Sequence, residues 1–184
     1  MQFLPNEFYH VYNRGNNKQI LFIEEENYMF FINKMQKELQ NFADIVAYCL
    51  MPNHYHLLIY TNNINGSNHS SLNRKLGTLQ SSYTRAFNLR FNRTGSLFQL
   101  KLKCKILNKN EHQLRTCFHY IHQNPLKAKM VNRMEEWRFS SYKTYFNHFD
   151  GALINRKIAF EYIAIPESRE KFIEESLGVI DFYG

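Results

Sequence analysis

Cysteine is scarce and unpatterned in this chain. Cys49, Cys104 and Cys117 stand far apart with no C-x-x-C pair, which excludes a disulfide framework and a zinc ribbon and leaves buried thiols as the expectation. Long apolar runs are missing too: none approaches the roughly 18 residues that span a bilayer, and no basic stretch followed by an apolar segment opens the chain, so a cytoplasmic protein away from membranes is expected. H-E-x-x-H and Walker A patterns are absent, which removes two common enzyme classes, and nothing resembles an RNP1 segment. Acidic residues are nearly absent from one stretch. Between Ser70 and Arg133 there are 13 Lys plus Arg and a single acid, Glu111, whereas the remainder holds 10 basic and 15 acidic residues. The net charge of +7 therefore belongs to a central segment whose natural partner is a polyanion, because neutralising phosphates releases counterions. A merely solubilising surface would mix both signs.

With 184 residues the chain fits one domain, and 44% hydrophobic with 16% aromatic residues is enough apolar area to fold against chain entropy. Phe8 to Asn13 reads as a strand ending at Arg14-Gly15. A helix follows from Glu24 to about Phe42, with Tyr28, Phe31, Ile32, Met35 and Leu39 at helical spacing. Ile45–Leu50 and His54–Tyr60 form a hairpin about Met51-Pro52-Asn53, and the polar stretch Asn62–His69 an exposed loop. In the next helix Leu72, Leu76, Leu79, Tyr83 and Phe87 make the buried stripe and leave Arg74, Lys75, Arg85 and Arg90 for solvent or ligand. Then Leu100, Leu102, Cys104 and Ile106 alternate with Lys101, Lys103 and Lys105, a half-buried strand with a lysine face that also suits a protected sheet edge. A third helix runs from near Asn110 to the Asn124-Pro125 boundary on a stripe of Leu114, Cys117, Phe118 and Ile121. The order predicts an α+β fold: a ferredoxin-like β-α-β-β-α-β antiparallel sheet with its helices on one face. A C-terminal appendage includes a short helix over 166–177.

Two constellations carry chemistry. His54-Tyr55-His56 places two imidazoles on one face of a strand, about 7 Å apart along it at 3.3 Å per residue, where they can converge on a divalent cation or stand as two half-exposed histidines. Tyr120 lies roughly 110° from the centre of its helix's core stripe, so its hydroxyl need not be buried, though it also suits an amphipathic rim. Asn124, one turn on, could supply a third ligand, with Gln123 less well placed. His119 and His122 read as surface or supporting histidines. Two imidazoles and an amide would accept Zn²⁺, Mn²⁺ or other cations.

Several segments together resemble the single-tyrosine HUH transposases, above all the REP-associated tyrosine transposases. They are Tyr9-His10-Val11 with Asn13-Arg14-Gly15; the run from Ala47 to Leu58; Gly95 with Leu97-Phe98-Gln99; Tyr120-Ile121-His122 with Asn124-Pro125; and Trp137 with Phe139-Ser140-Ser141-Tyr142. The resemblance spans about Phe8 to Tyr145, which gives a domain at 1–146 and an extension at 147–184 of unknown role. The Gly-Arg-Phe that often follows Leu-Phe-Gln in relatives is lacking. The resemblance implies His54 and His56 as metal ligands with Asn124 completing the site, Mg²⁺ or Mn²⁺ as the metal, and Tyr120 as the nucleophile. Tyr83, within a core stripe, is the rival. It also implies single-stranded DNA with hairpin elements as the partner, a covalent 5′-phosphotyrosine with a free 3′-hydroxyl, and rejoining by reversal, in a monomer or homodimer. Arg85, Arg90, Arg93, Lys101, Lys103 and Lys105 are the candidate DNA contacts, which position without specifying, and Tyr55 or Phe98 could stack on bases. The competing expectations are a transposase-derived regulator that binds hairpin DNA or RNA without cutting, and a metal-dependent hydrolase that uses water.

Overall fold

The computed structural model describes residues 3–61, 69–107, 110–146 and 153–178. The expected Asn62–His69 loop falls almost entirely outside them. Four strands, β1 (Phe8–Arg14), β2 (Ala43–Met51), β3 (His54–Thr61) and β4 (Lys103–Leu107), form one sheet in the order β2-β3-β1-β4. Every neighbouring pair is antiparallel, so the β-α-β-β-α-β run has the predicted ferredoxin-like form.

α1 (Glu25–Leu39) and α2 (His69–Arg90) cover one face. The α1 entry is fixed by Asn27, whose Oδ1 accepts from the Ile23 and Glu24 backbone N–H groups, and by Glu25 and Glu26 in the first turn, which complement the helix dipole. Phe31, Met35, Leu72, Leu76 and Tyr83 pack there onto Tyr9, Val11, Tyr55, Leu57 and Ile59. The other face is covered by α3 (Glu111–Lys127) and by α4 (Tyr142–Phe146), α5 (Arg156–Ile163) and α6 (Arg169–Gly178). Leu114, Cys117, Phe118, Ile121, Tyr145, Ile163 and Phe172 join Phe8, Cys49, Leu58 and Leu107 in a second core. The C-terminal helices thus pack with α3 in this second core, so helices cover both faces of the sheet. Burying each large apolar side chain contributes about 1.5–3 kcal/mol, so two cores on one sheet give it ample support from both sides. In β2 a bulge between Ile45 and Ala47 shifts the alternation, so that Cys49 and Met51 face α3 while Leu50 faces α1.

Three local expectations need correcting. β4 begins only at Lys103; Leu100 is fully exposed and Ile106 partly so. Leu100 therefore belongs to no buried strand face, and Lys101 precedes the strand. The third helix continues through Pro125 to Lys127. Proline removes the N–H that would bond the Ile121 carbonyl, and the Asn124 side-chain amide donates to that oxygen (3.3 Å) and to Tyr120 O (2.8 Å) instead. His119 and His122 are not at the surface but buried beneath α6 and α4, with His122 Nε2 2.7 Å from Ser141 Oγ.

The motif residues outside the cleft are structural. Gly15 donates to Asn53 O, Asn16 to Leu97 O, and Gln99 to Arg14 O, which ties the end of β1 to the turn before His54 and to the Leu97–Gln99 segment. A Cβ on Gly15 would lie 2.0 Å from the Gln19 carbonyl oxygen, so no other residue fits. The Trp137–Tyr142 stretch closes the outer edge of β2: Leu50 N donates to Phe139 O, Trp137 Nε1 to Leu50 O, Ser141 N to Tyr48 O and Tyr48 N to Ser141 Oγ. An edge satisfied in this way cannot pair with another chain.

Candidate active site

Alternation along the strands places His10 and Tyr12 of β1, His54 and His56 of β3, and Lys103 and Lys105 of β4 on the α3 face. Tyr12 pairs with His56 on one side and Lys103 on the other; Arg14 pairs with His54, and His10 with Lys105. α3 lays Tyr120 and Asn124 over them. The result is a cleft of about 310 Å³ bordered by Tyr12, Arg14, His54, His56, Lys103 and Tyr120. The Tyr120 ring stands edge-on to His56, with centroids 5.5 Å apart.

The donor atoms are aimed by their neighbours. His54 Nδ1 lies 2.6 Å from Asn53 Oδ1, an acceptor, so the imidazole proton sits there and Nε2 keeps its lone pair. That Nε2 is 3.5 Å from Asn124 Oδ1. The Asn124 amide group is engaged in donating to two backbone carbonyls, so its oxygen must point toward His54. Two lone-pair donors face each other with no proton between them. Such a pair is a satisfactory arrangement only with a cation or donor shared between them, and ligands bound at about 2.0–2.2 Å to one small cation sit at comparable separations. His54 and Asn124 are therefore spaced as two ligands of one divalent metal would be, and His56, two residues on along the same strand face, is the candidate third. Among the described residues no group of three or more His, Cys, Asp or Glu suits a metal, so the amide oxygen is what lifts the set above two ligands.

Burial lowers the His54 pKa, opposed by the Asn124 contact and aided by Arg14. Burial also holds His56 well below the ordinary range, with His10 and His54 adding to it. Neutral imidazole is the form that ligates. Tyr120 is half-buried, and burial, then Cys117 and Tyr12, raises its phenol pKa.

Other expected residues lie elsewhere. Tyr83 is buried on the α1–α2 face, and its hydroxyl donates to Leu21 O at 2.5 Å. Gln123 is turned away toward α6, where Nε2 donates to Ser176 O. Tyr55 and Phe98 are both buried against α1 and α2, with the Tyr55 hydroxyl accepting from Gln80, so neither can stack on a base. Arg90 is paired with Glu24 and Arg93 with Asn88 and Gln19, while Arg85 is exposed on α2, across the sheet from the cleft. Lys103 and Lys105 are exposed beside the cleft, with Lys103 Nζ 5.8 Å from the Tyr12 ring centre.

Sequence reasoning missed Tyr12 and Arg14 as parts of the cleft, and His10 as the buried ring behind His56. The signal was present: three polar or amphipathic residues at period two on a central strand, where an apolar face is the norm.

No family model matches the chain, and no curated protein matches it by sequence. By fold, it is similar to a solved REP-associated tyrosine transposase bound to a REP hairpin, with a TM-score of 0.65 and 18% identity over 84% of this chain and 92% of that one. The class of fold that the motifs led one to expect is the one found. The two share their fold over those lengths, which in this chain is an α+β fold on a four-stranded antiparallel sheet.

Proposed function

We propose that this protein cleaves and rejoins single-stranded DNA beside hairpin elements, with Tyr120 as nucleophile and a divalent metal, Mg²⁺ or Mn²⁺, held by His54, His56 and Asn124. The observation that carries this reading is the convergence of His54, His56 and Tyr120 on one cleft, with Asn124 Oδ1 beside His54, from two elements far apart in sequence. The likeness of fold to a transposase bound to a hairpin adds support.

When bound, the cation would neutralise a non-bridging oxygen of the scissile phosphate and so lower the barrier to anionic attack. Tyr120 supplies the attacking oxygen. Its Oη–P bond forms as the P–O3′ bond breaks, the phenolic proton passes to solvent, and the departing strand takes a proton at its 3′-oxygen. The 5′-phosphotyrosine retains the phosphodiester's bond energy, so attack by another 3′-hydroxyl rejoins strands without ATP. Because burial raises the Tyr120 pKa, positive charge at the cleft has to favour the phenolate as it forms, and Lys103 is a side chain on the cleft wall that brings it. Lys103 and Lys105 hold the backbone over the cleft.

The test uses labelled hairpin DNA with single-stranded flanks, Mn²⁺, and denaturing gels. A protein-linked product with the parent and none with Tyr120→Phe supports the reading. Hairpin binding with no nick or adduct for either would favour a binding regulator, and nicking that survives Tyr120→Phe would favour water as the nucleophile.

A further inference from the structure

The histidine pair of the cleft is backed by a third histidine. His10 is buried on the central strand β1, stacked against His56 with ring centroids 5.1 Å apart and planes 20° from parallel. Its Nε2 lies 2.9 Å from His56 Nδ1. Two buried ring nitrogens at this distance are held together by a single shared proton. One ring donates and the other accepts.

The two choices have different consequences. A proton on His56 Nδ1 leaves the lone pair on Nε2, the ring nitrogen not engaged by His10, for the cleft that His56 lines. A proton on His56 Nε2 would put a donor there and block ligation. A bond to the remote ring nitrogen is the general means by which proteins set this choice. We propose that His10 is a positioning residue that accepts from His56 Nδ1–H and thereby keeps His56 Nε2 as a lone-pair donor facing the cleft. This rests on the reading of His54 and His56 as metal ligands. His54 is set in the same way by Asn53, so each histidine has its own acceptor behind it.

The experiment uses the full chain, ¹⁵N-labelled and without metal or DNA. Long-range ¹H–¹⁵N spectra report the His56 tautomer, and titration with Mn²⁺ alone reports affinity. His10→Phe keeps a stacked ring but removes the acceptor; His10→Gln returns an oxygen near the Nε2 position. The expected result is Nδ1–H at His56 in the parent and in His10→Gln, with Mn²⁺ binding weaker by about 10- to 100-fold in His10→Phe and restored to within about threefold in His10→Gln. An Nε2–H tautomer at His56 in the parent would overturn the proposal whether or not any variant folds, and so would a folded His10→Phe that binds Mn²⁺ as the parent does. An Nδ1–H His56 in a parent that binds no Mn²⁺ would uphold the His10 role and sink the metal reading instead.

Discussion

On one side of β3, Tyr55, Leu57 and Ile59 lie in a dry, aromatic core under α1 and α2; on the other, His54 and His56 stand in an open cleft beneath α3. β1 divides likewise, with Tyr9 and Val11 packed and His10 and Tyr12 lining or backing the cleft. The same strands carry packing and chemistry on alternate residues, and each face has its own helices. Two tyrosines sharpen the contrast. Tyr83 has its hydroxyl bonded to a backbone carbonyl in the packed face, whereas Tyr120 is half-buried at the rim of the cleft.

Breaking the cleft side should cost activity far more than stability. His56→Ala is expected to lower metal-dependent cleavage by about 10²- to 10³-fold, read by single-turnover gels; near-parental rates would place the metal elsewhere. Acid should act on the same side, because four buried histidines, His10, His56, His119 and His122, all lie there. Their folded pKa values are depressed by burial, to about 4 for His119 and well below the ordinary imidazole range for His122. The stability they permit is therefore complete above about pH 6.5 and lost as pH falls toward those values, by roughly 2 kcal/mol at pH 5 for each of His10 and His119. Urea melts at pH 7 and pH 5 measure it, and equal midpoints would refute it. Replacing Lys103 and Lys105 by Gln should weaken hairpin binding about tenfold in low salt and reduce the salt slope by about 2, while Arg90→Gln, whose guanidinium is held by Glu24 on the far side, should leave the slope unchanged. Pro125→Ala gives the Ile121 carbonyl a backbone donor and releases the Asn124 amide. Mn²⁺ affinity should fall by a few-fold, roughly 1 kcal/mol, without loss of helix stability, and unchanged affinity would show that Asn124 is aimed by something else. The smallest effect on cleavage is expected for Tyr83→Phe, which should keep the parental rate to within about twofold and cost about 1 kcal/mol of stability for the lost hydrogen bond.

Most of the sheet was legible because its strands alternate and its helices carry 3.6-residue stripes; His54, His56, Tyr120 and Asn124 could be placed together from spacing and from the resemblance. What was not legible depended on tertiary context. Nothing local reveals that Pro125 is tolerated within α3, since the compensating donor is its neighbour's side chain. His119 and His122 look like surface residues on a helical wheel because the wheel cannot show that α4 and α6 bury a second side of α3. The lysine strand looked longer than it is, because periodicity in Leu100–Lys103 persists although the ladder with β1 ends at Tyr12 and Lys103, and Arg14 O accepts from Gln99 N instead. The arginines of α2 were read as DNA contacts from charge alone, and charge does not say which side of the sheet a helix covers.

The central claim is that Tyr120, and no other tyrosine, takes the phosphate. The most direct measurement is to trap the product on a labelled hairpin, digest it with nuclease and trypsin, and locate the nucleotide by mass spectrometry. The nucleotide should be found on the peptide 116–127, at Tyr120. A nucleotide on Tyr83, Tyr12 or another residue, or strand cleavage with no modified peptide, would contradict it.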